Sequence, residues 1–571
     1  MKEKLFAESF GAWERAKTDP YLKKQLAFVK EKADEFIEEG IIPITYSDFQ
    51  IFYETGSRYL YELKYFARRA RLNAFSLLSL VYGEEKYIKA YEDTVWAICD
   101  ELSWAVPAHI DDSLPLGDYR GHIDLFAAET GFALAESSYL LGDKISKKLL
   151  NRLRYEIHDR IIESYLSDKK WWWSAARSNW AAVCAGCVGA AFLYLATEEE
   201  IVQALPSIEQ TMSCFLESYG DDGACMEGYG YWSYGYGFFV YFAELLRQYS
   251  NGETDYFKDE KVKMISSFQD KILLSGNHSI SFSDGFCDFK HFSGLSHFLH
   301  KKYGEITIPS DECAAVFGPD DHCYRWGHFI REYVWRYDGA VKDNISNKGM
   351  LYLKDAAWYI HRGEGYDFAA KAGHNGEPHN HNDVGSFLLY VDGKCILEDL
   401  GCGEYTADYF GKERYSYLVN SSRGHNLPII DGNLQKPGKE YGSNVLKVTD
   451  NEFVVDIASA YGESNVQSLV RNFEIGENKI ILKDNFLLRN NSEITERFIS
   501  GIKPEIRENF VKIGSAEIYY DRTKLTCSIT PEKYMTHSVQ ERTVFRIDFK
   551  TLKKQTQTEI HFEILFGGER I

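Results

Sequence analysis

The sequence predicts an α+β chain in two parts, helical up to about residue 330 and antiparallel β from about Gly349. Three observations carry this. Apolar residues recur at helical spacing through the first part. Short runs rich in Val, Ile, Tyr, Phe and Thr, broken by Asp-Gly and Asn-Asn turns, replace that pattern in the second part. Finally, 571 residues with 44% hydrophobic content are enough for more than one core.

The helical segments run in order Leu22 to Phe36, Tyr59 to Val81, Tyr87 to Leu102, Leu125 to Leu141, Ile145 to Tyr165, Ala181 to Ala196 and Phe239 to Tyr249. Helices of similar length joined by short polar loops suit a bundle or a ring of helical hairpins. The strands follow as Met350 to Leu353, Ser386 to Val391, Ile396 to Leu400, Phe453 to Ile457, Lys479 to Leu482 and Val544 to Phe549, and predict a sandwich. The junction between the parts falls between Arg325 and Gly349.

The 65 basic and 85 acidic residues give a formal charge of -20, which argues against a nucleic-acid or anionic-membrane partner. No apolar run has signal-peptide or membrane-spanning length, and 11 scattered cysteines read as reduced thiols; the expectation is a cytoplasmic protein. Cys184 and Cys187 have zinc or redox spacing, but an Ala/Gly-rich helical run with no second pair favours buried packing.

The tightest grouping of the 16 histidines lies between Gly373 and Asp399, where His374, His379, His381, Asp383 and Asp399 precede His425. On a strand, His379 and His381 share one face. Asp399 and His425, arriving from neighbouring strands, would complete a nitrogen-and-oxygen set of the kind zinc accepts. A polar turn of hydrogen-bonded histidines is the alternative. A second region, Asp221 to Gly237, interleaves five glycines with Glu227, Tyr229, Tyr231, Trp232, Tyr234 and Tyr236; tyrosine offers a ring to stack on sugar and a phenol to move protons. A packed, glycine-punctuated helix start is the bland account. A third, Trp171 to Trp173 with Arg177, Ser178 and Asn179, reads as core or as a sugar platform, with Asn179 a candidate helix N-cap.

The run His379-Asn380-His381-Asn382-Asp383-Val384-Gly385-Ser386-Phe387, followed by Gly393, Asp399, Gly401, Tyr405 and then Arg423-Gly424-His425-Asn426, resembles the β-domain signature of heparinase II/III-type polysaccharide lyases. Ser178-Asn179-Trp180 and Asp222-Gly223 through Glu227-Gly228-Tyr229-Gly230-Tyr231-Trp232 resemble the two active-site stretches of that family's helical part. The resemblance runs from Trp171 to the C-terminus. It implies an incomplete (α/α) toroid over residues 1–335 and an antiparallel β-sandwich over 336–571. It also implies Tyr231 as catalytic acid/base, His379 as its partner, and Asn179 as a group neutralising the substrate carboxylate. His381, Asp399 and His425 would hold a structural zinc ion. Arg177, Trp180, Glu227, Tyr229, Tyr234 and Trp173 form the expected substrate-binding set. Two features depart from the pattern: Trp180 stands where some relatives carry histidine, and Tyr229 and Tyr234 rival Tyr231 for its role.

The implied reaction is β-elimination on a uronate glycan, with a glycosaminoglycan such as heparan sulfate, chondroitin or hyaluronan, or its oligosaccharides, as first expectation and oligoalginate as second. A proton beside a carboxylate is poorly acidic until that charge is masked, which suits an amide and an imidazole near a phenol. Two other classes stay open here, a zinc hydrolase built on His381, Asp399 and His425, and a glycan-binding protein without turnover.

Overall fold

The computed structural model describes residues 5–337, 348–462 and 465–567, and they form two compact units. One comprises the described residues 5–219, 231–266 and 290–337; the other comprises 220–230, 267–289, 348–462 and 465–567. Part of the expected junction, residues 338–347, lies outside the described residues. None of the described helices is long and apolar enough to cross a membrane.

The first unit is helical, and its helices start and stop where local chemistry dictates. Pro20–Glu39 begins on Asp19, whose carboxylate caps Leu22, with Pro20 in the first turn, and ends at Gly40. Glu198–Leu216 opens with a reciprocal capping box between Thr197 and Glu200. Tyr59–Val81 and Leu125–Leu141 have the bounds their periodicity predicts, and Tyr87 to Leu102 is realised as Glu85–Cys99. The segment expected from Ile145 to Tyr165 is the helix Lys147–Ile157 continued by a π-helical turn, His158–Glu163. Asn179–Leu195 packs against Leu125–Leu141, Glu198–Leu216 and Gly237–Tyr249, and buries Cys184 and Cys187 completely. A buried carboxylate ties distant helices together. Glu136 accepts from Arg331 at 2.9 and 3.0 Å, from Tyr194 at 2.8 Å and from Trp326 at 2.9 Å.

The second unit is built on antiparallel sheets with one shared core. An eight-stranded sheet has the order Asn444–Thr449, Glu452–Asp456, Val466–Ile475, Lys479–Ser492, Gln555–Leu565, Ala516–Tyr520, Phe510–Ile513, Glu505–Ile506. A four-stranded sheet runs Leu525–Met535, Glu541–Thr551, Ile494–Ser500, Pro428–Ile430, and a five-stranded sheet runs Gly349–Leu353, Trp358–Arg362, Tyr366–Lys371, Phe387–Val391, Lys394–Leu397. Phe368, Phe387, Phe473, Phe498 and Phe562, from all three sheets, meet in that core. Val466–Ile475 shows the two-residue alternation of a strand with one buried face. Tyr366–Lys371 and Phe387–Val391 are instead buried along their whole length. The reason is the segment 267–289, which covers their outer face: Phe282 packs on Trp358, His278 on Tyr390, and Ser275 N–H donates to Asp367 at 2.7 Å.

Candidate functional site

In the β unit, His379 and His381 do not lie on a strand as the shared-face reading supposed. They sit in the loop between His374–Asn375 and Phe387–Val391, and His379 has φ of 52°. A left-handed histidine costs on the order of 1 kcal/mol or more, and persists only where its surroundings over-determine it. Here they do. Fully buried Lys371 reaches Asp383 at 2.8 Å and Glu377 at 3.1 Å, clamping both ends of the loop. Arg414 donates to the Asn380 carbonyl at 3.0 Å, Asn382 N–H to the Asn420 carbonyl at 2.9 Å, and Arg471 to the Gly385 carbonyl at 2.9 Å.

The two imidazoles still converge, but on a carboxylate that sequence reasoning did not find. His379 Nδ1 is 2.6 Å from one oxygen of Asp284, and His381 Nε2 is 3.0 Å from the other. Tyr405 and Tyr409 donate to the same carboxylate at 2.9 and 2.6 Å. Burial opposes ionisation of Asp284, yet the hydrogen bonds from the two histidines hold it well below the usual carboxylate range. On its other side, His379 Nε2 lies 3.4 Å from Glu227, whose carboxyl is pushed up by burial against the opposing pull of His379. Glu227, expected in the substrate set, is thus a neighbour of the candidate catalytic histidine.

His381, Asp399 and His425 come together as expected, with one donor atom of each within 4.8 Å of the others and all three buried. His425 Nε2 donates to the Val419 carbonyl at 2.8 Å and His381 Nε2 to Asp284, so both Nδ1 atoms are left to turn inward. His425 Nδ1 faces Asp399 at 3.1 Å, while the buried His381 Nδ1 has no hydrogen-bond partner. Two imidazole nitrogens and a carboxylate, each ring oriented through its far N–H, fit a zinc ion.

In the helical unit, Asn179 opens the helix Asn179–Leu195, but Ser178 occupies the N-cap position, so the capping reading of Asn179 does not hold. Asn179 is buried, and Gly235 packs on it: a Cβ there would lie 3.0 Å from the Asn179 Cβ. A Cβ on Gly228 would likewise lie 2.9 Å from the Gly285 Cα, and one on Gly237 would lie 3.0 Å from the His328 ring. The glycine density of this stretch is therefore explained by close packing, and does not itself mark a ligand.

Of the three rival tyrosines, Tyr229 is buried with its hydroxyl 3.3 Å from Gln269. Tyr234 is buried, donates to Glu129 and lies under the Arg325 guanidinium at 4.0 Å. Burial and the Glu129 charge push its phenol far above the ordinary range, which unfits it as a base. Tyr231 keeps a partly exposed side chain.

Trp173, expected to bind substrate, is a core residue. It is completely buried, its indole N–H donates to the Ile123 carbonyl at 2.9 Å, and it stacks on Tyr165 and Trp171. The exposed ring of the trio is Trp172, at 62%, which packs on Trp180 with centroids 4.7 Å apart. Trp180 also meets the His109 ring at 4.9 Å, so an imidazole stands beside this helix start although the histidine next to Asn179 is missing. Arg177 is exposed and pairs with Glu217 at 2.9 Å.

Helical hairpins followed by an antiparallel β-sandwich is the architecture of several glycan lyases of known structure. Heparinase III matches with a TM-score of 0.60 at 15% identity, covering 88% of this chain and 77% of that one. A heparan sulfate lyase from Pedobacter heparinus matches with 0.57 at 13%, covering 96% and 89%. Chondroitin AC lyase from Streptomyces coelicolor A3, solved with chondroitin sulphate, matches with 0.57 at 8%, covering 99% and 83%. These likenesses establish the expected fold class, an (α/α) toroid followed by a β-sandwich. Residues 346–562 match the family model for the heparinase II/III-like C-terminal domain. No curated protein matches the chain.

Proposed function

We propose that the protein is a polysaccharide lyase that cleaves a uronate-containing glycan by β-elimination, with a glycosaminoglycan or its oligosaccharides as substrate. The observation that carries this reading is His379, strained and held with Nδ1 on Asp284 and Nε2 beside Glu227, inside the domain that matches the family model. The fold likeness to heparinase III, to a heparan sulfate lyase and to a chondroitin lyase supports the glycosaminoglycan class.

Elimination requires a proton to leave C5 of the uronate and another to reach the leaving oxygen at C4. We assign the proton transfers to Tyr231, whose partial exposure sets it apart from Tyr229 and Tyr234. Asn179 and His379 are assigned the masking of the substrate carboxylate, where hydrogen-bond donors stabilise the enolate as charge develops. Trp172 and Trp180 offer ring faces for sugar stacking. His381, Asp399 and His425 are proposed to hold zinc, which supplies fixed positive charge that orders their loop. Their burial, at 0%, 2% and 0% exposure, favours this structural role over a hydrolase with an open coordination position.

The test is incubation with a panel of uronate glycans, following the ultraviolet absorbance of the unsaturated uronate and product size. Tyr231→Phe is expected to lower turnover about 100-fold or more with the fold intact. Saturated products, or a variant as active as the parent, would overturn the assignment.

A further inference from the structure

Asp284 belongs to no motif of the sequence, yet four side chains donate to it. Its two oxygens divide the work evenly. Oδ2 accepts from His379 Nδ1 at 2.6 Å and from the Tyr405 hydroxyl at 2.9 Å; Oδ1 accepts from His381 Nε2 at 3.0 Å and from the Tyr409 hydroxyl at 2.6 Å. Arg414 adds a guanidinium 3.7 Å from Oδ2. The carboxylate itself is completely buried.

We propose that Asp284 is a positioning residue that couples the metal-binding histidine to the substrate-facing one, fixing the tautomer and orientation of both rings at once. The proposal rests on the reading of His379 and His381 given above. A carboxylate only accepts, so each ring must present an N–H to it. For His379 that places the proton on Nδ1 and leaves Nε2 on the side of Glu227. For His381 it places the proton on Nε2 and leaves Nδ1 for the metal, beside Asp399 and His425.

Neither ring can flip without taking one of the two donors from a buried oxygen and facing it with an unprotonated nitrogen, and both oxygens sit on one rigid group. Reorienting His381, as on loss of a metal, therefore pulls on the acceptor that holds His379. The loop backbone also joins the two histidines, but it spans residue 380 and the left-handed turn at His379, where ring orientation stays undetermined. The carboxylate supplies that orientation. Ser283, at φ of 59°, precedes it, and Ser281 fixes the same segment by donating to the Asp399 carbonyl at 3.1 Å, so the segment bearing Asp284 is anchored to the metal-binding strand region too.

The experiment uses the full-length protein with zinc as the metal probe and Asp284→Asn as the main variant. An amide keeps the size but turns one acceptor into a donor facing two donors. Imidazole nitrogen NMR on histidine-labelled protein, assigned by loss of signal in His379→Ala, is expected to show His379 as the Nδ1–H form in the parent and a tautomer mixture in the variant. Zinc affinity is expected to fall about 10-fold to 100-fold. On a glycan that the parent cleaves, kcat is expected to fall at least about 100-fold with KM within about threefold.

A folded variant with an unchanged His379 tautomer and unchanged zinc affinity overturns the proposal, as does a loss confined to thermal stability. If Asp284→Asn does not fold, Tyr405→Phe and Tyr409→Phe each remove one donor. The first is then expected to shift the His379 signal and the second the zinc affinity, and failure of both to move anything overturns it. A parent that cleaves no glycan while tautomer and zinc affinity respond as expected sinks the lyase reading and leaves the positioning role standing.

Discussion

Around His379 the chain is held by charge and hydrogen bonds, with Lys371, Arg414, Arg471 and Asp284 each satisfying groups of one loop. Around Asn179 it is held by packing, with Gly235 against the asparagine and Trp180 between Trp172 and His109. The difference sets how each part fails. A buried polar network loses its geometry when one partner is removed, because the groups left behind are desolvated and unpaired. A packed aromatic face gives way in proportion to the volume removed.

The largest expected effect tests the polar side of this contrast. Arg471 is completely buried, bonds Asp484 and Glu496, and donates to the carbonyls of Gly385 and Asn426, which follow His381 and His425 closely in the chain. Arg471→Ala strands two carboxylates and is expected to cost about 3–5 kcal/mol in denaturant unfolding. A cost below about 1 kcal/mol would mean that the network is not the support of the loop.

Next comes the aromatic side. Trp173→Ala is expected to cost about 3–5 kcal/mol in chemical denaturation, as for a buried indole. Trp172→Ala should stay within about 0.5 kcal/mol of the parent while weakening oligosaccharide binding. Equal stability effects would erase the distinction drawn between the two rings.

Acid sharpens the comparison from another side. Burial pushes His291 down to about 4, and His297 and His328 down to about 3, all in the helical unit. Asp311 and Arg336 lie near the first two, and Asp321, Arg325 and Arg331 near the third. In the unfolded chain these imidazoles take protons near 6.5, whereas in the folded unit they stay neutral until pH 3–4. Stability is therefore full above about pH 6.5 and lost as pH falls towards 4, by about 2 kcal/mol per histidine at pH 5. Calorimetry from pH 8 to 5 is expected to show a falling transition, and His328→Phe should make the fall shallower by about a third. An unfolding temperature flat over that range would contradict the burial of these rings.

Much of the architecture was legible in the sequence, because helix and strand periods of 3.6 and 2 are local properties. Tyr59–Val81 and Leu125–Leu141 match their periodicity at both ends, and Cys184 and Cys187 are the buried packing residues their context implied. His381, Asp399 and His425 could be read as a set because they lie within 45 residues of one another and His381 stands in the tightest grouping of histidines in the chain.

What the tertiary structure alone decided has a common cause, that burial and long-range pairing are not written in neighbouring residues. The short turn Trp172–Ala175 has no period, so only packing could send Trp173 inward and leave Trp172 outside. The same holds for His379 and His381. They converge not through strand alternation but through Asp284, which reaches them from 95 and 97 residues away in the chain. A single aspartate in a Ser-Asp-Gly turn carries no sequence signal of that role, since its meaning comes entirely from the buried donors that folding brings around it.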